Sequence, residues 1–225
     1  MSAELERLYA HRFDAADRAW KKVVWDVLWK KVFSRWVKPG DTLLDLGAGY
    51  CEFINSAVAA RRIAVDLNPE TGKLAAPGVE VRAVSADDLG FLAPGEANVV
   101  FTSNFLEHLP DKQVVSRVIA EVHRVLEDGG LFVLMGPNIR YLSGRYWDYF
   151  DHHVPLSDGS LCEALLMGGF QLEHVEARFL PYTVKSRVPR WRWTVEAYLA
   201  LRPLSSALLG KQFYVVARKP GGAKS

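Results

Sequence analysis

TLLDLGAGYCEF, residues 42–53, decides how the rest of the chain is read. Thr42 to Leu46 form a short apolar run that stops at glycines, the pattern of a strand covered on both faces that runs into a loop. Gly47 and Gly49 then let the backbone turn tightly and approach a ligand that a Cβ would exclude. Upstream, Lys38, Pro39, Gly40 and Asp41 make a turn signal. Downstream, CEFINSAVAA (51–60) reads as a helix and RRIAVDLNP (61–69) as a second short strand closed by Asn68 and Pro69. The unit is β-α-β.

The same rhythm continues outward. VEVRAVSADDL (79–89) is a strand followed by an acidic loop, and ANVVFTSN (97–104) is a strand. DKQVVSRVIAEVHRVLEDGG (111–130) is expected to be a helix ended by Gly129 and Gly130, and GLFVLMGP (130–137) is the next strand. Residues 158–168 read as a helix, GFQLEHVEARF (169–179) as a strand and KQFYVVARKP (211–220) as a final strand. Residues 4–36 read as helical, with Trp25, Leu28, Trp29, Val32, Phe33 and Trp36 recurring every three or four positions as an apolar stripe. Alternating strands and helices predict an open, mostly parallel sheet with helices on both faces, whose ligands bind beyond the carboxyl ends of the strands. The expected organisation is an N-terminal helical extension (1–38), a main domain (39–220) with insertions at 138–157 and 181–210, and a loose tail (221–225).

Composition fits this reading. The chain has 225 residues, 49% hydrophobic and 24% charged, which excludes intrinsic disorder or a fibrous repeat for its bulk. With 28 basic and 26 acidic residues the net charge is +2, so no nucleic-acid partner is expected. Cys51 and Cys162, the two cysteines, give neither a disulfide framework nor a four-cysteine zinc pattern. The N-terminus has no secretory pattern, and no apolar run approaches the ~18 residues of a membrane span. The expected location is the cytoplasm, with room for peripheral contact at the inner face of the membrane.

Two carboxylates and the loop between them point to a cofactor. Asp45, Gly47, Ala48 and Gly49 end the first strand; Asp66 closes the second, about 20 residues on, where a carboxylate accepts both hydroxyls of a ribose. Together they indicate a nucleoside-bearing ligand. Glu52 stands where a dinucleotide loop has glycine, and its charge would repel a pyrophosphate, which argues against nicotinamide chemistry.

LLDLGAGYCEF, AVDLNP, SADDL, FTSNFLEHLPD and HRVLEDGGLFVLMGPN, in that order, resemble the motifs of class I S-adenosylmethionine-dependent methyltransferases over residues 40–180. The remaining segments resemble the bacterial methyltransferase-11/23-like subset associated with sugar and polysaccharide modification. The resemblance implies a Rossmann-like, doubly wound α/β fold with a seven-stranded, mostly parallel sheet. It implies S-adenosylmethionine as cofactor and S-adenosylhomocysteine as product. Asp45 and the loop of Gly47, Ala48, Gly49, Tyr50 and Cys51 would then face the methionine ammonium and carboxylate. Asp66 would take the ribose, with Leu67 against the adenine and Asn68 beside it; Ser85, Ala86 and Asp87 would flank the base, and Asn104 and Phe105 would close the pocket. The chain departs from the family at Cys51, where a third glycine is usual, and at Ser85, where an adenine-binding aspartate often stands. Either Asp87 or the backbone takes over that role.

Methyl transfer is an in-line displacement that needs an acceptor within about 3–3.5 Å of the methyl carbon, and an oxygen acceptor benefits from a general base. His108, His152 and His153 are the candidates, following the fourth and fifth strands at the expected mouth. A metal held by Asp151, His152, His153 and His108 is not expected, because adjacent histidines on an extended loop point to opposite sides and no i, i+4 pair exists. The 181–210 insertion carries Lys185, Arg187, Arg190, Arg192 and Arg202 against Glu196, with Trp191 and Trp193 interleaved. It suits a phosphate-bearing acceptor (a nucleotide sugar or lipid-linked glycan), an anionic membrane surface, or packing against the N-terminal helix.

The expected function is therefore methyl transfer to a small-molecule or glycan-like acceptor, at oxygen, by a monomer or homodimer. The rivals are a cofactor-binding module that docks a membrane or partner without turnover and, behind it, a nicotinamide-dependent oxidoreductase.

Overall fold

The computed structural model describes residues 15–182, 190–202 and 204–222. Its centre is one seven-stranded sheet in the order β3-β2-β1-β4-β5-β7-β6. The strands are β1 (Thr42–Leu46), β2 (Arg61–Val65), β3 (Val79–Arg82), β4 (Ala97–Ser103), β5 (Leu126–Pro137), β6 (Gln171–Glu176) and β7 (Gln212–Arg218). β1 to β5 pair in parallel, and β7 inserts antiparallel between β5 and β6. Because β2 and β3 lie on one side of β1 while β4 and β5 lie on the other, the chain reverses direction at β1 and β4. That reversal opens a crevice at their carboxyl ends.

Alternate residues of each strand feed two cores. Leu44, Leu46, Ile63, Val65, Val100 and Phe132 pack on one face against helix α4 (Lys112–Val125), which contributes Val115, Val118, Ile119 and Val122. Leu43, Ala64, Val99, Phe101 and Val133 face the other side. There they meet Leu28 at the end of helix α1 (Ala15–Leu28), and Trp29, Val32 and Phe33 of the wide turn that continues it. The tryptophan stripe thus packs on the chain's own sheet. Phe53 stacks on Phe101 with centroids 3.6 Å apart, Phe33 meets Phe101 edge-on at 5.2 Å, and the Trp36 indole N–H donates to the Tyr214 hydroxyl. Residues 4–14 of the expected N-terminal helix lie outside the described residues, as do 223–225 of the tail.

Three local expectations change. The helix expected over 111–130 stops at Val125: Asp111 caps its start, accepting the N–H groups of Gln113 and Val114, but Leu126 turns extended and pairs with Ala97 of β4. Burying Leu126 in the sheet outweighs one more helical turn, and Gly129 and Gly130 shape the start of β5 instead of capping a helix. A Cβ on Gly130 would sit 2.9 Å from the Glu127 carbonyl oxygen. The helix expected over 51–60 is only α2 (Glu52–Ser56), where Arg62 of β2 reaches back to donate to the Ile54 and Ala57 carbonyls that a longer helix would use. Asn68 and Pro69 do more than close β2. Asn68 accepts the Glu70 N–H and Pro69 occupies the first turn of α3 (Pro69–Leu74), a capping pattern.

The two insertions both sit at the carboxyl edge. The first holds α5 (Ile139–Leu142) and a tight turn over Ser143–Asp148 that follow directly on β5, and α6 (Asp158–Met167) follows it. The second holds α7 (Arg192–Ala200) and α8 (Leu204–Leu209), anchored where the Tyr198 and Ser206 hydroxyls both donate to the Phe179 carbonyl.

Candidate functional site

The loop after β1 is held by its own backbone. Gly47 and Ala48 N–H groups both reach the Val65 carbonyl at 2.9 and 3.2 Å, and Cys51 N–H closes back on Ala48 at 2.7 Å. Gly47, Gly49 and Cys51 adopt φ of +70°, +51° and +62°. A Cβ on Gly47 would lie 2.4 Å from the Phe105 ring, so glycine is dictated both by conformation and by Phe105. Cys51 takes the left-handed conformation without glycine's freedom; its fully buried thiol packs in the core, 3.6 Å from the Thr71 carbonyl. Burial, with the nearby carboxylates of Asp45, Glu52 and Asp66, pushes that thiol up to about 12, which makes it packing and not a nucleophile.

Asp66 ties the two loops together. One carboxylate oxygen accepts the Gly49 N–H and the other the Asn68 N–H, each at 2.7 Å. The Leu67 N–H also approaches this carboxylate; with about four acceptor positions in all, capacity remains for a hydroxyl donor. Burial raises the Asp66 carboxyl above its ordinary range. Asp45, buried at the end of β1, is raised well above it by burial and by the negative charges of Asp66 and Glu52. Three carboxylates converge here, and Lys21 of α1, 3.6 Å from Glu52, is the cation among the described residues that reaches them. The site is electrostatically suited to a bound ammonium.

The other expected cofactor residues ring the same crevice. Leu67 is half exposed at its rim, an apolar side chain available to a flat ring. Ala86 is buried, and the Ser85 hydroxyl donates to Asp87, whose second oxygen takes Arg117 Nε at 3.0 Å. The Ser85 hydroxyl and Arg117 hold the Asp87 carboxyl below its usual range. Asp87 is therefore already bonded within the chain. Asn104 adopts φ +49° while its N–H binds the Met135 carbonyl, a turn that lays Phe105 over Gly47. Tyr50 is half buried beside Glu52.

The three histidines separate. His108 Nδ1 lies 3.0 Å from the Asp151 carbonyl and 3.2 Å from its carboxylate, and Nε2 lies 4.0 Å from Glu107. Burial lowers the His108 imidazole, but the Asp151 and Glu107 carboxylates outweigh it and raise it overall. His152 is buried, with Nδ1 2.9 Å from the Tyr146 carbonyl and its ring 5.0 Å from that of His108. His153 is exposed, while its backbone N–H binds the Glu107 carbonyl at 2.8 Å. The neighbours 152 and 153 do point apart, yet His152 joins His108 and the buried Glu107, a residue the sequence reading passed over. Its only sequence signal is the Glu-His pair that follows a strand end.

The basic-aromatic insertion is largely neutralised from within. Arg190 pairs with Asp17 at 2.6 Å, Arg192 with Asp26 and Glu196, and Arg202 with Glu176, so two of the three bind the insertion to α1. Trp191 and Trp193 remain more than half exposed. Lys185 and Arg187 lie outside the described residues.

An open sheet in this order, with an antiparallel β7, a glycine loop after β1 and an acidic residue ending β2, defines the class I methyltransferase fold. Residues 44–134 match the family model described as a methyltransferase domain. It is 33% identical over 104 residues to an uncharacterized methyltransferase of Synechocystis, covering 44% of this chain and 48% of that protein. It is 33% identical over 113 residues to the ubiquinone biosynthesis O-methyltransferase of Xanthomonas campestris, covering 46% of each. The matched stretches span about half the length of these relatives. Among solved structures, an S-adenosylmethionine-dependent methyltransferase from Archaeoglobus fulgidus shares the fold with a TM-score of 0.67 at 19% identity, over 88% of this chain and 94% of that one.

Proposed function

We propose that the protein transfers the methyl group of S-adenosylmethionine to an oxygen of a small-molecule or glycan-like acceptor. The observation that carries this is Asp66, whose carboxylate organises the loops after β1 and β2 while keeping acceptor capacity for a ribose, beside buried Asp45. S-adenosylmethionine supplies the sulfonium-bound methyl. In this reading Asp45 and the 47–51 loop hold the amino-acid end, Asp66 the ribose, and Leu67, Ala86 and Phe105 the walls. Asp87 shapes the adenine end through Ser85 and Arg117, leaving the base to backbone groups. His153, the exposed histidine of the three, is the base we assign; His153→Asn should lower kcat and leave cofactor affinity unchanged.

The acceptor end supports a substrate presented at a lipid surface. Both insertions border the crevice edge and expose large apolar side chains: Trp147 and Phe150 in one, Trp193, Leu201, Leu204 and Leu208 in the other. Leu204 and Leu208 share one helical face whose opposite side is fixed by Ser206. No helix among the described residues is long and apolar enough to cross a membrane; in this reading the contact is peripheral. In this reading the acceptor is a glycan carried on a lipid.

The deciding experiment is calorimetric titration with S-adenosylhomocysteine, expected to give one site per chain. Absence of binding would remove the methyl-transfer reading.

A further inference from the structure

Glu107, His108 and His152 each offer one ligand atom, and these atoms all lie within 4.8 Å of one another. Glu107 and His108 come from the tight turn Leu106–His108 after β4, and His152 from the insertion after β5. More than 40 residues of chain separate them. The fold joins the two segments through main-chain bonds, since the His153 and Val154 N–H groups both donate to the Glu107 carbonyl at 2.8 and 3.1 Å.

The orientation of the two rings goes beyond mere proximity. His108 Nδ1 is held by the Asp151 carbonyl and carboxylate, and His152 Nδ1 by the Tyr146 carbonyl. In both rings Nδ1 is engaged by an oxygen acceptor, so Nε2 is the nitrogen assigned to the ion. This is how metal-bound histidines are held: the remote N–H donates to a carbonyl or carboxylate, fixing tautomer and ring direction. Glu107 is 3% exposed, and its described cationic neighbour, His108 Nε2 at 4.0 Å, is beyond hydrogen-bond reach. A carboxylate buried in this way calls for a cation.

We propose that Glu107, His108 and His152 form a binding site for one divalent transition-metal ion, ligated by two Nε2 atoms and a carboxylate. Two imidazoles favour zinc or cobalt over magnesium or calcium, which prefer all-oxygen sites. In a tetrahedral site with bonds of about 2.0–2.2 Å, ligand atoms stand about 3.3 Å apart. The ligand atoms, all within 4.8 Å of one another, would draw together on binding the ion. The ion clamps the 146–152 segment onto the end of β4, three residues beyond Asn104. Three protein ligands leave a fourth position for water; its occupation by an acceptor oxygen rests on the methyl-transfer reading above.

The test is titration of the purified full chain with Co²⁺, followed by its visible absorption, and with Zn²⁺ by calorimetry. One ion per chain is expected, with the intense visible bands of a tetrahedral or five-coordinate cobalt site. Asp151→Asn, which keeps the shape behind His108 and removes its charge, should weaken binding 10- to 100-fold. His152→Gln should abolish the bands, and His153→Ala should leave them intact. Near-ultraviolet circular dichroism checks that each variant is folded. No Co²⁺ bands and no Zn²⁺ heat from folded wild-type protein, or bands surviving in folded His152→Gln, would overturn the site. Titration of the same sample with S-adenosylhomocysteine separates the two readings: its binding without Co²⁺ refutes only the metal site, and Co²⁺ without it refutes only the methyl-transfer reading.

Discussion

Replacing Asp66 by Asn changes a single atom's chemistry and keeps the side chain's shape, so its effect is traceable to specific bonds. The two carboxylate oxygens accept the Gly49 and Asn68 N–H groups at 2.7 Å each. An amide has one oxygen, so in either orientation its NH2 faces a backbone N–H, and one charge-assisted bond becomes a donor-donor contact. Hydrogen bonds to a charged group contribute about 1.5–3 kcal/mol. Relief of the burial that raises this carboxyl offsets part of that in the free protein. We therefore expect a stability loss of about 1 kcal/mol, or roughly 2–4 °C in Tm for a chain of this size.

Cofactor affinity should suffer more, because the ribose hydroxyls also lose a charged acceptor and the loop facing them loses its tie. A loss of about 2–4 kcal/mol corresponds to a roughly 30- to 700-fold rise in Kd. The assay is calorimetric titration of wild type and Asp66→Asn with S-adenosylhomocysteine, with a thermal melt of each. A Kd within threefold of wild type, in a variant that melts normally, would remove Asp66 from the site.

Gly47→Ala combines left-handed strain of about 1–2 kcal/mol with overpacking of about 1–3 kcal/mol against the Phe105 ring. It should lower Tm by more than 5 °C, whereas Gly49→Ala, at φ +51° with nothing within 4 Å, carries the strain alone. Equal melting points for the two would show that Phe105 does not constrain the loop. The raised Asp45 and Asp66 carboxyls set a pH dependence with a definite sign. Burial disfavours their ionised forms, so each destabilises the free protein above its folded-state pKa and ceases to do so as pH falls toward the ordinary value of 3.8. An ammonium and a ribose bind the ionised forms, so cofactor binding should release protons and weaken as pH falls from neutrality. Titrations near pH 6 in buffers of different ionisation enthalpy measure this, and proton uptake would contradict it.

The α/β alternation and the glycine loop that ends β1 were legible in residues 42–69 because each step is local. A strand buried on both faces reads as a short, largely apolar run, a tight left-handed turn favours glycine, and Asp66 lies one β-α-β unit from Asp45. Where segments end was less legible: the helix after Asp111 stops at Val125 because Leu126 finds Ala97 in another strand, and α2 stops at Ser56 because Arg62 takes its carbonyls. Sequence could list Arg190 and Arg192 as a basic patch, but only the packed chain shows that Asp17 and Asp26 neutralise them. The same holds for the histidines. The rule that neighbours 152 and 153 diverge follows from extended backbone geometry, while the meeting of His152 with Glu107 and His108 depends on where β4 and β5 lie side by side in the sheet. Local pattern determined the elements and the glycine loop after β1; long-range packing decided which charges are paired and which buried groups converge, because distance along the chain carries no record of distance in space.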